Sequence, residues 1–259
     1  MTPILSLAEV AVHFGGVRAV DGVSIAVEPG IIYGLVGPNG SGKSTLLGAI
    51  SRLTPMTSGS MVFEGDDYSD WSAQRIARRG LGRTFQTVRL LSTMSVLDNI
   101  RLGADTRIVG TNIWNPWLRP VWSSRKDREV TEIAETALER MALTDVAQRF
   151  PQELSYGLQR KVEIARALAS GPSLLLLDEP TAGMTSDERD SISAVIRQLR
   201  EEGLTQVLVD HDVDMIVGLA DVLGVMNEGR LLVEGDAKVV VRDPRVQEAY
   251  LGRRHRADA

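Results

Sequence analysis

The sequence predicts an α/β fold built around a mostly parallel sheet, with a helical lobe inserted into it. A glycine-rich stretch, Gly37–Thr45 (GPNGSGKST), lies between a short apolar run and a helical pattern. Further apolar runs alternate with helical patterns, an order typical of a parallel sheet covered by helices. From about residue 95 to residue 169 the pattern is helical only, which predicts the inserted lobe.

The elements before the lobe are predicted from short runs bounded by turn residues. The first run ends at Gly15-Gly16, and the second alternates apolar and polar residues before a turn at Glu28-Pro29-Gly30. The third is apolar throughout, as expected of a buried strand. The predicted strands are 10–14, 23–27, 31–36, 60–63 and 80–86, and the predicted helices are 44–50 and 71–79.

Within the lobe, apolar residues from Val130 to Met141 recur at helical spacing and predict one helix. A second helix is expected to begin near Ser155 and to end at Gly171-Pro172. The core then resumes, and we find no internal repeat. Its predicted elements are strands at 174–177, 205–209, 222–227 and 231–233 and a helix at 187–202 that ends at Gly203.

Composition restricts the classes of function. The chain has 259 residues, of which 43% are hydrophobic and 24% are charged, as in globular proteins. Its net charge of −5 argues against nucleic acid as a partner, because that affinity depends on clustered Lys and Arg. There is no cysteine, which excludes disulfides and thiolate metal sites. No apolar run approaches the length of a membrane helix, and we expect a cytosolic protein.

The stretch Gly37–Thr45, called the phosphate loop below, fits the spacing Gly-x-x-x-x-Gly-Lys-Ser/Thr. Backbone N–H groups in such a loop enclose an anion, and the following helix N-terminus also favours negative charge. An ordinary glycine-rich turn is the alternative, but strand, loop, lysine and hydroxyl are all in place. We predict that the chain binds a nucleoside triphosphate through Gly37, Pro38, Asn39, Gly40, Ser41, Gly42, Lys43, Ser44 and Thr45.

Two carboxylates, Asp178 and Glu179, follow the apolar strand at 174–177. Ligands collect at the carboxyl edge of a parallel sheet, so both side chains are expected near the phosphates. Ser44 is predicted to bind Mg²⁺ directly and Asp178 to hold it through water. Glu179 is predicted to stand next to the phosphates without being needed as a ligand, which suits a base or an orienter for an attacking water. Two solvated carboxylates at the start of a loop are the alternative.

His211 follows the strand at 205–209 in the same way. A neutral imidazole there could bind the γ-phosphate and help to position the water. The alternative is a polar cap at a strand end.

The order of these motifs resembles that of ATP-binding cassette (ABC) ATPases. The resemblance is carried by Leu154–Gln159 (LSYGLQ), the signature loop below, which precedes a helix and lies upstream of Asp178-Glu179. It implies a P-loop NTPase core with a mostly parallel sheet, an N-terminal antiparallel β subdomain and an inserted helical subdomain. In this division residues 1–259 form one ABC ATPase domain, with a core of 1–91 and 173–252, a helical signature subdomain of 92–172 and a tail of 253–259.

The resemblance also implies roles for individual residues. In the family, the signature loop of one subunit closes over the ATP held by another, which would make Ser155, Tyr156, Gly157 and Gln159 act in trans. Phe14 would stack on adenine, and Gln86 would contact magnesium and the attacking water. Glu179 would be the catalytic carboxylate and His211 the switch histidine.

A narrower resemblance is to importers of the branched-chain amino acid type. It rests on four stretches, which are Arg83-Thr84-Phe85-Gln86, Arg89-Leu90, residues 95–100 and residues 246–252. It implies an ATP-hydrolysing subunit at the cytoplasmic face of the membrane. Its partners would be a second ATP-binding subunit, identical or different, transmembrane permease subunits and an extracytoplasmic substrate-binding protein.

Other functions stay open at this point. They are the ATPase of another transporter, for urea or amide uptake or for lipopolysaccharide export, a soluble ABC ATPase outside transport, and a small-molecule P-loop kinase. The soluble ABC ATPases usually show tandem cassettes, long coiled coils or basic surfaces, and a kinase would not need the signature loop or His211.

The chain departs from the general family pattern at three places. Tyr156 and Leu158 replace Gly and Gln in the signature loop. Thr185 stands where the family usually has the Asp that couples the two sites of the dimer. Phe14 lacks the hydroxyl usual at its position.

Two further stretches have no clear motif. Trp114, Trp117 and Trp122 lie in one segment, which either packs onto the helical lobe or helps to form a groove for a membrane partner. The run Arg253–Arg256 is expected to be a solvated tail, with anionic lipid headgroups as the alternative contact.

Overall fold

A computed structural model describes residues 2–108 and 123–249, without the side chains of 106–108 and 123–125. The segment with three tryptophans, the predicted tail 253–259 and the last residues of the 246–252 stretch lie outside the described residues. The strands are β1 (Leu5–Phe14), β2 (Val17–Val27), β3 (Ile32–Val36), β4 (Ser58–Phe63), β5 (Asp66–Asp67), β6 (Leu81–Arg83), β7 (Leu174–Asp178), β8 (Thr205–Val209), β9 (Val222–Asn227) and β10 (Arg230–Asp236). The helices are α1 (Lys43–Ile50), α2 (Ala73–Arg79), α3 (Val96–Ile108), α4 (Ser123–Arg140), α5 (Tyr156–Ala169), α6 (Ser186–Glu201), α7 (Val213–Leu219) and α8 (Ala237–Val240).

The strands form two sheets. The first has the order β2-β1-β4-β5, and its pairs are antiparallel. The second has the order β10-β9-β3-β8-β7-β6, and all its pairs are parallel except β9 with β10. The fold class is therefore confirmed. Because β3, β7 and β8 are neighbours with the same direction, their carboxyl ends bring the phosphate loop, Asp178-Glu179 and Asp210-His211 to one edge.

The parallel sheet is buried on both faces, which explains why its strands are apolar throughout. Successive residues of β7 point to opposite sides, so Leu175 and Leu177 pack with the helical region, whereas Leu174 and Leu176 pack with the antiparallel sheet and α1. All four leucines have no exposed surface. The sheet is therefore packed on both faces by hydrophobic cores, which fixes the position of its carboxyl edge, where the predicted site residues lie.

One predicted strand is shorter than expected. The prediction of a strand at 80–86 is wrong beyond Arg83, because only Leu81–Arg83 pair with β7. Thr84 still donates its N–H to the Leu176 carbonyl, at 2.9 Å. The main-chain groups of Phe85 and Gln86 are bonded instead by side chains of α5, which takes this segment out of the sheet.

Helices α3, α4 and α5 pack against one another, as the helical pattern predicted. Ser155 is the N-cap of α5, and its side chain accepts a hydrogen bond from the Leu158 N–H. The division at residues 92 and 172 stays a prediction.

The contact between α3 and α5 gives a stability prediction. A Cβ on Gly103 would overlap the main-chain carbonyl of Arg166, a backbone group that cannot turn away. We expect Gly103→Ala to lower the free energy of unfolding by about 1–3 kcal/mol, measured by urea unfolding. Gly218→Ala in α7 is the control, since a Cβ there meets nothing within 4 Å. It should raise stability by about 0.5–1 kcal/mol. Equal stability of the Gly103 variant and the wild type would contradict the close helix contact.

Candidate active site

The phosphate loop connects the end of β3 to the start of α1. Two of its positions require glycine, because neighbouring main-chain carbonyls lie where a Cβ would be. A Cβ on Gly37 would overlap the Met226 carbonyl, and one on Gly42 would overlap the Ala19 carbonyl. Gly42 also has a φ of 101°, which side-chain-bearing residues rarely adopt. The loop is therefore held close to neighbouring main chain, with little freedom to change its curvature.

The polar groups of the loop suit an anion. The ammonium of Lys43 donates to the carbonyls of Gly37 and Pro38, at 2.7 and 3.1 Å, so it lies folded against its own loop. The Ser41 hydroxyl is buried and has no hydrogen-bond partner among the described residues. Helix α1 begins without a side-chain cap in the described structure, which leaves its first N–H groups for another acceptor. Phosphate oxygens would satisfy each of these donors.

Asp178 lies beside the start of α1. The Ser44 hydroxyl donates to its Oδ1 at 3.3 Å, and the Arg83 guanidinium donates to its Oδ2 at 3.2 Å. Burial raises the pKa of Asp178 above its ordinary value, while Arg83 acts in the opposite direction. One hydroxyl and one carboxylate are hard oxygen ligands of the kind Mg²⁺ takes together with water and phosphate oxygens. The residues present therefore fit the predicted metal.

Glu179 lies beside the two other predicted catalytic residues, Gln86 and His211. The Gln86 amide donates to its Oε2 at 3.0 Å. The Nδ1 of His211 lies 4.0 Å from the same oxygen and 3.3 Å from Asp210 Oδ1. Glu179 has a φ of 46°, uncommon for a residue with a side chain, and its N–H is bonded to the Val209 carbonyl at 2.7 Å. This conformation at a sheet edge is typical of functional positions.

Asp210 holds the main chain of the His211 segment. It is fully buried, and its Oδ1 accepts from the N–H groups of His211 and Asp212, at 2.7 and 3.1 Å. Its Oδ2 accepts from the Thr181 hydroxyl at 2.8 Å. The segment that carries His211 is thus tied to the loop that follows Glu179. The imidazole itself is 59% exposed.

The predicted adenine contact lies at the end of β1. Phe14 is 54% exposed, which is high for a large apolar side chain. The ring is therefore accessible to a ligand, and its stacking on adenine stays a prediction.

Among the described residues, the signature loop is hydrogen-bonded to its own neighbours along the chain and to Glu188 of α6. The Gly157 N–H donates to Glu188 Oε1 at 3.1 Å. Hydrogen bonds from Gly157, Thr185 and Ser155, in that order of importance, lower the pKa of Glu188. A carboxylate oxygen thus lies at the N-terminus of α5, where the prediction places a phosphate oxygen of another subunit's ATP. Gln159 donates to the Leu154 carbonyl at 3.2 Å within the loop itself.

Sequence reasoning missed several residues that organise the site. Besides Asp210 and Thr181, they include Arg83, Arg160, Glu163 and Glu188. Glu188 carried a signal, because Thr185-x-x-Glu188 is a capping-box spacing and both of its bonds are present. Arg160 and Glu163 are charges at i and i+3 on the buried side of α5, a pattern that predicts an ion pair. Nothing local in the sequence indicated that Arg83 bonds Asp178.

A phosphate loop after a central parallel strand, with an Asp-Glu pair at the end of a nearby strand, defines a P-loop nucleotide-hydrolysing protein. The comparisons with known proteins identify the family. Residues 20–182 match the ABC transporter family, and residues 230–256 match the branched-chain amino acid ATP-binding cassette transporter family. The chain belongs to the ABC transporter ATP-binding family and is an ATPase that binds ATP. The proposed resemblance is confirmed.

Relatives are similar over nearly the whole chain. A high-affinity branched-chain amino acid transport ATP-binding protein of Pseudomonas aeruginosa, BraF, is 36% identical, with 96% of this chain and 98% of BraF covered. LivG of Escherichia coli, with the same description, is 35% identical at the same coverage. The probable LivG of Methanocaldococcus jannaschii is 34% identical, with 96% of this chain and 97% of that protein covered.

Solved structures agree with the fold. A nucleotide-free ATP-binding cassette from an ABC transporter superposes with a TM-score of 0.84 at 32% identity, covering 96% of this chain and 98% of that one. A dimeric ATP-binding cassette bound to ADP and phosphate superposes with a TM-score of 0.75 at 27% identity, covering 90% and 98%. Among the helices described in the present chain, none combines the length and the apolar character needed to cross a membrane.

Proposed function

We propose that this chain is the ATP-hydrolysing subunit of a membrane ABC importer for branched-chain amino acids. The observation that carries the proposal is the match of residues 230–256 to the branched-chain transporter family, beside near full-length similarity to BraF and LivG. Transport of branched-chain amino acids is what those relatives are named for. The contacts of Glu179 with Gln86 and His211 support ATP hydrolysis as the chemical step.

In this proposal the phosphate loop binds the ATP phosphates, and Lys43 turns from the Gly37 and Pro38 carbonyls to the phosphate oxygens. Phe14 stacks on adenine. Mg²⁺, when bound, neutralises and orients phosphate oxygens. Ser44 and Gln86 would bind it directly, and Asp178 would hold it through water.

Glu179 accepts a proton from the water that attacks the γ-phosphorus, and the products are ADP and inorganic phosphate. The amide of Gln86, 3.0 Å from Glu179 Oε2, orients the carboxylate. His211 contacts the γ-phosphate from the neighbouring strand end. Gln86 Nε2 and His211 Nδ1 lie 3.0 and 4.0 Å from the same Glu179 oxygen, which supports a shared contact of the three side chains with one bound water.

The signature loop completes the site of a second subunit. Ser155, Tyr156, Gly157 and Gln159 would approach the ATP of the partner, where the N-terminus of α5 favours an anion. The carboxylate of Glu188 occupies that helix end here and would be replaced by phosphate oxygens. The dimeric form of a related ATP-binding cassette supports this arrangement.

The remaining partners follow from the transport proposal. Transmembrane permease subunits would hold the protein at the cytoplasmic face of the membrane, and an extracytoplasmic binding protein would deliver the cargo. The second ATP-binding subunit is either another copy of this chain or a related one.

The test is isolation of the tagged subunit from detergent-solubilised membranes, followed by reconstitution of what accompanies it. We expect permease subunits in the complex and ATP-dependent uptake of leucine, isoleucine or valine into proteoliposomes. Glutamine and urea serve as control solutes. Recovery of soluble partners alone would contradict the transporter function. Uptake of a control solute in place of leucine would contradict branched-chain amino acids as the cargo, but it would not contradict the ATPase activity.

A further inference from the structure

Helix α5 carries two charges in a fully buried position. Arg160 has no exposed surface, and Glu163 is 1% exposed. Their side chains form an ion pair at 2.7 Å between Arg160 Nη1 and Glu163 Oε2. Burial raises the pKa of Glu163, and Arg160 opposes that effect. A buried ion pair contributes little net stability compared with apolar side chains of similar volume, so its presence points to a role beyond packing.

The pair binds the main chain of Phe85 and Gln86. Arg160 Nη1 donates to the Phe85 carbonyl at 2.5 Å, and Nη2 donates to the Gln86 carbonyl at 2.7 Å. Glu163 Oε1 accepts from the Phe85 N–H at 3.4 Å. Three main-chain groups of this segment are therefore held by α5, at the place where the chain leaves the parallel sheet.

The same guanidinium reaches the signature loop. Arg160 Nη2 also donates to the Tyr156 hydroxyl at 3.2 Å, one residue after the N-cap Ser155. Tyr156 stands where the general family pattern has Gly, which has no side chain to make this contact. Because position 156 is Tyr and not Gly, Arg160 has a further hydrogen-bond partner in the Tyr156 hydroxyl.

A continuous path of contacts results. Glu179 accepts from the Gln86 side chain, the Gln86 carbonyl accepts from Arg160, and Arg160 also donates to Tyr156 beside Ser155. Under the proposed function, on which this inference rests, Glu179 and Gln86 serve the ATP of their own subunit. Ser155 serves the ATP of the partner.

We propose that Arg160 and Glu163 are positioning residues that join Gln86 to the signature loop, so that the two ATP sites of the dimer respond to each other. Gln86 and the start of α5 move as one unit. A γ-phosphate bound beside Gln86 therefore sets the position of Ser155 at the other site. In this chain Thr185 stands at the usual place of the coupling Asp, and the Arg160–Glu163 pair provides a coupling contact of its own.

The experiment replaces the pair with apolar side chains of similar size. In the double variant Arg160→Met/Glu163→Leu, the ion pair itself is replaced at little cost, but the main-chain groups of Phe85 and Gln86 lose their partners. The urea midpoint of unfolding should therefore fall, and activity is measured under conditions where the variant is fully folded. ATP affinity of the isolated subunit should be unchanged, because neither side chain belongs to its phosphate loop. In the assembled transporter, we expect kcat for ATP hydrolysis to fall about 10- to 100-fold. Cooperativity in ATP should be lost as well.

Two further variants separate positioning from folding. Tyr156→Phe removes one hydroxyl from a side chain that is 37% exposed, and it should weaken cooperativity without changing stability. Arg200→Met removes a surface ion pair to Asp221, and its cooperativity should equal that of the wild type.

The outcomes distinguish this inference from the function it rests on. A wild-type complex without ATPase activity would contradict the proposed function. A wild-type complex that hydrolyses ATP without cooperativity would contradict the coupling of the two ATP sites but not the proposed function. A folded double variant with normal kcat and normal cooperativity would do the same. If a stabilising substitution elsewhere in the chain restores both the stability and the wild-type kcat of the double variant, the pair has a packing role only. That result would also overturn the coupling.

Discussion

We expect Glu179→Gln to bind ATP and to form the ATP-dependent dimer, but to lose turnover. The amide keeps the size of the carboxylate and can still accept the hydrogen bond from Gln86, so the site keeps its shape. It cannot accept a proton from water at neutral pH. We expect kcat to fall at least about 10²–10⁴-fold, the usual contribution of a general base. Phosphate release measures turnover, and equilibrium binding measures the affinity for ATP.

The matched control is Glu201→Gln, which alters an exposed glutamate at the end of α6. Its turnover should equal that of the wild type. Size-exclusion chromatography with light scattering should show the Glu179 variant as a stable dimer with ATP and as a monomer without nucleotide. Normal phosphate release by Glu179→Gln would remove Glu179 from its role as base.

We expect Lys43→Ala to bind ATP much more weakly than the wild type. Lys43 is 6% exposed, and its ammonium lies on the phosphate loop. Its contact with phosphate oxygens would be charge-assisted and shielded from water. Removing one partner of such a contact costs about 3 kcal/mol or more. The affinity should therefore fall roughly 100-fold or more, measured by titration calorimetry.

Lys238→Ala is the matched control, because it removes an exposed lysine from α8. Its affinity for ATP should be unchanged, and both variants should unfold at the urea concentration of the wild type. A Lys43 variant that binds ATP with wild-type affinity would show that the loop holds the phosphates through its main chain alone.

The parts of the site that were predictable from the sequence are those with short, fixed spacings. The phosphate loop requires Gly, Lys and Ser at set positions between a strand and a helix, and the structure has β3 and α1 there. The N-cap position of Ser155 follows in the same way from the helical pattern that begins after it. Asp178-Glu179 was predictable because a buried strand that ends in two carboxylates presents them at the sheet edge.

The strand predicted at 80–86 shows where such reasoning fails. Arg83, Thr84, Phe85 and Gln86 suit an extended chain, and only Arg83 is in the strand. The competing partners are the side chains of α5, and the Arg160–Phe85 bond spans 75 residues. Local propensity carries no information about a contact at that separation.

The sequence by itself determined the nucleotide, the alternation of strands and helices around the phosphate loop, and the identity of the residues at the carboxyl edge. These follow from local periodicity and from the chemistry that each side chain carries. The sequence did not predict β5, α7 or α8. Only the tertiary structure decided how those residues support each other. The Arg83 contact to Asp178 joins residues 95 apart, the Glu188 contact to Gly157 joins residues 31 apart, and the Arg160–Glu163 pair holds Gln86. Side chains so distant in sequence meet only through the packing of the sheet and the helices, because hydrophobic burial sets the distances between those elements.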